Sequence, residues 1–365
     1  MKKILALLFR RKENADDLSG FPNWRIGLAS AAAWSWGVSL IVGVDLMRSC
    51  GLLPFLVWSA GNILAIPIFG VVRRYLPISK FWSSFSLLIL IFLMMDCFGI
   101  IINMKALLTG FGFGDTKGLP IPAFMGMGRD LAIYITVGYA LFIFWYTTKG
   151  GLKLLMFSDL GSYLFQIATA LFIAAYGFSV TEKAFDPSWL LPKGVEWVKY
   201  SFFWISSGVL ATGHQWQKFS AIEEKRIFSA SLWGGLFFAL YMPLVFLCGL
   251  YFTEGQVTNI AFLILMFALA TSTIDSAVAA MNYDFKRFNL ANKLVGPAFA
   301  LLTILSWNFL AADSTVTNLW KYMAQIRTPI IYGLILISVI ITLIKIKPKK
   351  LPWLLFMNNV EGNKP

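Results

Sequence analysis

Charge is what this chain has least of. Asp, Glu, Lys and Arg make up 13% of its 365 residues, about half the share of an ordinary soluble domain. Cysteine is scarce too. Cys50, Cys97 and Cys248 lie far apart and mostly inside apolar runs, which excludes a disulfide framework and a zinc-type spacing. Histidine occurs once, as His214, so a His-rich metal site is excluded. A long apolar leader is missing. The start "MKKILALLFRRKENADD" is basic, but its apolar part is about six residues, short of a signal-peptide core. It reads as a cytoplasmic or interfacial tail. No paired general acid and base and no nucleophile with supporting context stands out, so the chain reads as a non-enzyme with no organic cofactor.

What fills the sequence instead is apolar: 58% of residues, with aromatics at 16%. Runs of roughly 20 apolar residues recur, the length that crosses a bilayer core. The expected class is an all-α integral membrane protein in a lipid bilayer. The net charge of +13 does not point to nucleic acid. Lys and Arg cluster in alternating loops, as the positive-inside rule requires.

Ten spans are expected, near 26–47, 52–72, 81–103, 130–148, 154–180, 199–216, 228–252, 257–282, 294–312 and 318–344. Residues 1–25 and 346–365 form tails around a core at 26–345. The connectors 104–129 and 181–198 carry Gly, Pro and Trp and read as ordered caps. With the N-terminus inside, the inside loops hold roughly 22 Lys and Arg and the outside loops about 9. Both termini are therefore expected in the cytoplasm, in the plasma or inner membrane. Ten spans divide into five plus five, 26–181 and 198–345. An odd number per half inserts the second half upside down, the inverted-repeat plan of many secondary transporters.

Polar residues inside such a chain are informative. "ATSTIDSAVAAMNYDF", residues 270–285, carries Thr271, Ser272, Thr273, Asp275 and Ser276 within six positions. On an ideal helix with Thr271 at zero, Asp275 falls at about 40°, Ser272 at about 100°, Ser276 at about 140° and Thr273 at about 200°. Hydroxyls alone are common helix–helix contacts. An intramembrane carboxylate is costly and marks function. Oxygen ligands without His or Cys suit a hard cation, Na⁺ or H⁺.

Four other places bear on function. Asp159 follows a Gly-Gly turn and is expected near the inner mouth, where it serves either a helix N-terminus or an ion. "WSWGVSLIVGVDL", residues 34–46, has Ser35, Gly37, Ser39 and Gly43, which make the first span interruptible. Unwinding near Gly37 would free carbonyls as cation ligands, while close packing at small residues is the other reading. "WISSGVLATGHQWQKF", residues 204–219, has Ser206, Ser207, Gly208, Gly213, His214 and Gln215 in the sixth span, with His214 as a gate or polar contact. Interruptions in both spans point to a binding site between them. Asp96 is a further buried acid that pairs with a cation or lines the solute path. No arginine clamp is evident, which favours a neutral or zwitterionic solute.

"YTTKGGLKLLMFSDLGSYLFQ", "ATSTIDSAVAAMNYDF" and "GHQWQKFSAIEEKRIFSASLWGG" together resemble the sodium–solute symporter family, in order, over roughly residues 25–345. The resemblance implies a LeuT-type five-plus-five inverted repeat and Na⁺-coupled symport of a small organic solute by alternating access. It carries the sodium hydroxyls to Ser272 and Thr273, and the sodium carbonyls to Ala32 and Ser35. The inner acid of sodium exit or coupling falls at Asp159, and a substrate position falls at Ser207; Asp275, off the direction of Thr273 on the helical wheel, is expected to serve ion coupling through a neighbouring polar network or a second ion. Ser39 and Asp96 join the expected solute site, and Trp36 and His214 the expected gates. The chain departs from the family in having ten spans where members usually have 13 or 14. Ser162 stands where a Gln is expected, and the basic residue Lys218 comes early. The alternative is a transporter-derived membrane module that binds a ligand or a partner protein without turnover.

Overall fold

The computed structural model describes residues 18–75, 86–113, 123–181, 198–253, 255–287, 295–311 and 315–343. The expected C-terminal tail, residues 1–17 of the N-terminal one, and residues 114–122 and 182–197 of the two expected caps lie outside the described residues.

Among the described residues the chain is helical throughout, with no strand. The helices are α1 Asn23–Trp34, α2 Gly37–Cys50, α3 Leu52–Tyr75, α4 Ser86–Gly110, α5 Arg129–Thr181, α6 Val198–Ala211, α7 Gly213–Ser220, α8 Glu224–Tyr251, α9 Gln256–Arg287, α10 Val295–Ala311 and α11 Val316–Leu343. Helices α3, α4, α5, α8 and α9 are each long and apolar enough to cross a membrane, and α1 with α2 forms a sixth such unit bent by 67°. Backbone groups in hydrocarbon must bond within their own segment, which is why helices dominate so apolar a chain.

Three interruptions shape the bundle. The first helix breaks at Ser35 and Trp36, one residue before the expected place at Gly37. Ser35 closes α1 by turning its hydroxyl onto the Ala31 carbonyl at 2.8 Å. Trp36 donates its indole N–H to the Ala33 carbonyl at 3.0 Å. The new helix start is satisfied from outside: the Gly37 N–H donates to Asn103 Oδ1 of α4 at 2.7 Å. A buried helix start needs such an acceptor, because its first N–H groups have no partner within the helix. The second break separates α6 from α7 at Thr212, in extended backbone. The third lies inside α5, at Gly151, with φ 61° and ψ −165°. Only glycine adopts that region without strain. Two expected helices, 130–148 and 154–180, thus meet across one non-helical residue.

Helices pack closely where side chains vanish. A Cβ on Gly27 of α1 would stand 2.6 Å from the Ala230 carbonyl oxygen and the Gly234 nitrogen of α8. Lipid supplies little hydrophobic drive between helices, so such backbone approach carries much of the packing. Large apolar side chains such as Leu53, Phe142, Phe165, Leu302 and Phe309 remain exposed on the outside of the bundle, as a lipid-facing surface requires. The expected N-terminal tail is partly folded onto this core. Leu18 is buried, and Arg226 of α8 donates to the Ser19 carbonyl at 2.8 Å and to the Phe21 carbonyl.

Candidate functional site

Helix α9 presents two polar faces to two different neighbours. Thr271 and Asp275, about 40° apart on the helical wheel, face α5 on both sides of its Gly151 break. Thr271 and Tyr139 share a hydrogen bond between their hydroxyls. Tyr146 and Ser158 donate to Asp275 Oδ2 at 2.9 and 2.8 Å. The second face, Ser272 and Ser276, looks toward α1 and the second half of α5. The Ser272 hydroxyl lies 3.0 Å from the Ala32 carbonyl of α1 and 3.2 Å from Leu269 O of its own helix. It has one proton, so it serves one carbonyl at a time. It also accepts from Gln166 Nε2 at 3.2 Å. Thr273 points elsewhere. Its methyl group approaches Gly99 of α4, beside the Trp36 ring, and its Oγ1 is buried with no hydrogen-bond partner.

One helical turn along from Ser272 sits a charge. Lys218 of α7 is fully buried. Its ammonium donates to Asp159 Oδ2 at 2.7 Å, to the Ala29 carbonyl at 2.9 Å and to Ser276 Oγ at 3.1 Å. Three donors meet three acceptors from α5, α1 and α9, which is the satisfaction a buried ammonium needs. Lys218 lies just beyond the sixth span expected at 199–216, where it would count as a loop charge; the structure places it inside the bundle. The dipole reading of Asp159 fails as well, since Asp159 lies two turns beyond the Gly151 break and bonds Lys218. Beside this pair, Gln215 accepts from the Ser30 hydroxyl and donates to the Ser30 carbonyl at 3.1 Å. Helix α7 is thereby fastened to α1.

The remaining expected residues separate. His214 Nδ1 lies 3.3 Å from Asp96 Oδ1, both buried. Ser207 spends its hydroxyl on Trp204 O at 2.9 Å and on Thr328 of α11 at 2.8 Å. Neither Asp96, His214 nor Ser207 lines the cavity that the structure holds at the α1–α2 break. Trp36 and Ser39 do.

That cavity is tight in this conformation, with free space of about 20 Å³, room for about one water molecule, so a larger solute must widen it. Indoles form much of its wall, Trp34 and Trp36 at the break, Trp58 on α3 and Trp320 on α11, with Val38, Val42 and Ile205 as the aliphatic part. Asn62, Ser39 and Arg327 add polar groups. Arg327 is a correction to the expectation that no arginine reaches the site. Its position within an apolar run, where a lone Arg is expensive, was the available signal. Among the described residues no group of three or more His, Cys, Asp or Glu is placed to hold a metal.

No protein-family model matches the chain, and no curated protein matches it in sequence. Solved structures do match in shape. A Na⁺-coupled sialic acid symporter, in a substrate-bound outward-open state, aligns with a TM-score of 0.61 at 14% identity, over 89% of this chain and 84% of that one. MhsT in complex with L-phenylalanine aligns with a TM-score of 0.58 at 16% identity, over 87% and 89%. The chain therefore shares the LeuT-type fold of these membrane transporters. It is a multi-pass membrane protein, and the likeness extends along most of its length.

Proposed function

We propose that the protein is a secondary transporter that couples uptake of a small organic solute to Na⁺ by alternating access. The observation that carries this reading is the meeting of α9 with the end of α1. A serine hydroxyl and a main-chain carbonyl from two helices lie 3.0 Å apart, and the next residue on α9, Thr273, keeps a buried oxygen without a partner. Hydroxyl and carbonyl oxygens are the ligands of a hard monovalent or alkaline-earth cation. Ser272 and the Ala32 carbonyl form the core of the proposed sodium site; Thr273, whose methyl group faces α4, joins them with the Ser35 carbonyl by turning its hydroxyl toward α1, and H⁺ is the competing coupling ion. The proposed architecture is two inverted five-helix halves with both termini in the cytoplasm.

Asp159 takes the role of ion exit or coupling in this reading. The Lys218–Asp159 pair is neutral as a unit and stands one helical turn, about 5.4 Å, along the bundle from the sodium ligands. Withdrawal of α7 would remove the ammonium and leave a carboxylate facing the departing cation. Trp36 at the break and His214 beside Asp96 are the proposed gates. Asp275, held by Tyr146 and Ser158, keeps α5 and α9 in register or holds a second ion.

The test is uptake by the purified protein in proteoliposomes, across a panel of labelled solutes. An inward Na⁺ gradient should drive accumulation of at least one solute above its equilibrium level, and dissipating the gradient should abolish it. Saturable solute binding with no accumulation under any cation gradient would instead support a non-transporting sensor.

A further inference from the structure

Arg327 has more hydrogen-bonding capacity than its surroundings use. It is 1% exposed on α11. Its Nη2 donates to the Trp204 carbonyl of α6 at 2.7 Å. Its Nη1 faces only the Met95 sulfur, at 3.7 Å, a weak acceptor. Its Nε is buried with no partner. Among the described residues no carboxylate lies within ion-pair distance of it. A guanidinium has five N–H donors, so at least three remain for another molecule.

The seat of this group is built. A Cβ on Gly208 would stand 2.7 Å from Arg327 Nη2 and 3.0 Å from the Trp34 ring. Only glycine at that position lets the guanidinium lie between α6 and the broken first helix. A bond to one carbonyl does not account for the charge, since a neutral glutamine amide could supply it. A buried cation without a counter-ion is costly, and that cost falls when an anion completes the pair.

The cavity also defines the rest of the ligand. Among the described residues Arg327 supplies its one charged side chain, and indoles form much of the remaining wall. No acidic side chain among the described residues lines it, so an ammonium group would meet indole faces but no counter-ion, and would stand against the Arg327 charge. Ser39, in the first turn of α2, lines the same space, so the positive end of that half-helix adds to the attraction for an anion.

We infer that the cavity at the α1–α2 break binds a small organic carboxylate with an apolar or aromatic body, and that Arg327 pairs with the carboxylate through its free N–H groups. The inference rests on the solute-binding reading above and names its substrate class. It replaces the neutral or zwitterionic solute expected from the sequence.

The test uses purified full-length protein in detergent, with quenching of intrinsic tryptophan fluorescence as the binding signal. The probes are phenylacetate, its neutral analogue phenylacetamide, phenethylamine and L-phenylalanine, each in Na⁺ buffer. Phenylacetate should bind at least tenfold more tightly than any of the other three. Arg327→Gln should remove that preference while leaving phenylacetamide binding within about threefold of wild type. Equal or tighter binding of the amide, the amine or the amino acid overturns the inference without touching the transporter reading. So does an Arg327→Gln variant, monodisperse by size exclusion, that keeps the carboxylate preference. Saturable quenching by chloride alone, with no further carboxylate effect, also overturns it. If Arg327→Gln does not fold, the wild-type comparison of acid with amide still decides. No saturable binding of any of the four probes overturns the inference. The transporter reading then stands or falls by solute accumulation in proteoliposomes.

Discussion

Lys218 shows how little of a buried charge network a linear sequence exposes. Its ammonium ties α7 to α1, α5 and α9 through Ala29, Asp159 and Ser276. Removing one partner of a buried pair strands the other, which costs about 3–5 kcal/mol. Lys218→Met alone should therefore lower thermal stability sharply, as should Asp159→Asn to a smaller extent because an amide still accepts a hydrogen bond. The double variant Lys218→Met with Asp159→Asn should recover much of the loss. Differential scanning fluorimetry of the three proteins checks it, and additive losses would contradict the pairing. The residues legible in the sequence were oxygen-bearing ones inside apolar runs: Ser272, Thr273, Asp159, Asp275 and Asp96 each break a pattern that hydropathy sets. Lys218 was hidden because it follows a polar stretch and precedes a charged loop, so topology absorbed it. Gln166 and Asn103 were hidden for a different reason. Their roles depend on which helix faces them, and single-sequence periodicity does not carry that.

Helix interruptions are the next scale. Gly and Ser placement points to both broken helices, and the breaks fall beside the glycines, at Ser35–Trp36 before Gly37 and at Thr212 before Gly213. Glycine permits a break without fixing its position. The position follows from what caps the new ends, and here Asn103 caps α2 from a separate helix. Asn103→Leu should leave the Gly37 N–H buried and unpaired, at a cost of about 1–3 kcal/mol. It should also weaken ligand binding at the break more than Asn103→Asp, which retains an acceptor. At Gly151 the backbone itself makes the demand. Gly151→Ala forces a side chain into a glycine-only region and should destabilise by about 1–3 kcal/mol. Gly161, where a Cβ meets nothing within 4 Å, should accept alanine with little change. Melting temperatures of these two alanine variants separate backbone strain from general sensitivity of α5.

At the scale of the whole molecule, the membrane class and helical segments followed from apolar run length, because bilayer thickness fixes how long a span must be. The fold's likeness to two solved transporters, over 84–89% of their chains, supports the LeuT-type fold that the resemblance in three short motifs implies. Substrate chemistry was the part least visible. In the proposed reading it depends on Arg327 from α11 meeting indoles from α1, α3 and the break, residues separated by as much as 293 positions (Trp34 to Arg327) and joined only by packing. The central claim is that α9 and the end of α1 together hold the coupling sodium. The most direct measurement is the thermal stability of the purified protein against rising NaCl, with choline chloride at matched ionic strength. Wild type should be stabilised saturably by Na⁺ and not by choline, and the Ser272→Ala, Thr273→Ala double variant should lose that response while remaining folded. An undiminished Na⁺ response in the double variant, or an equal response to choline in wild type, would contradict the account.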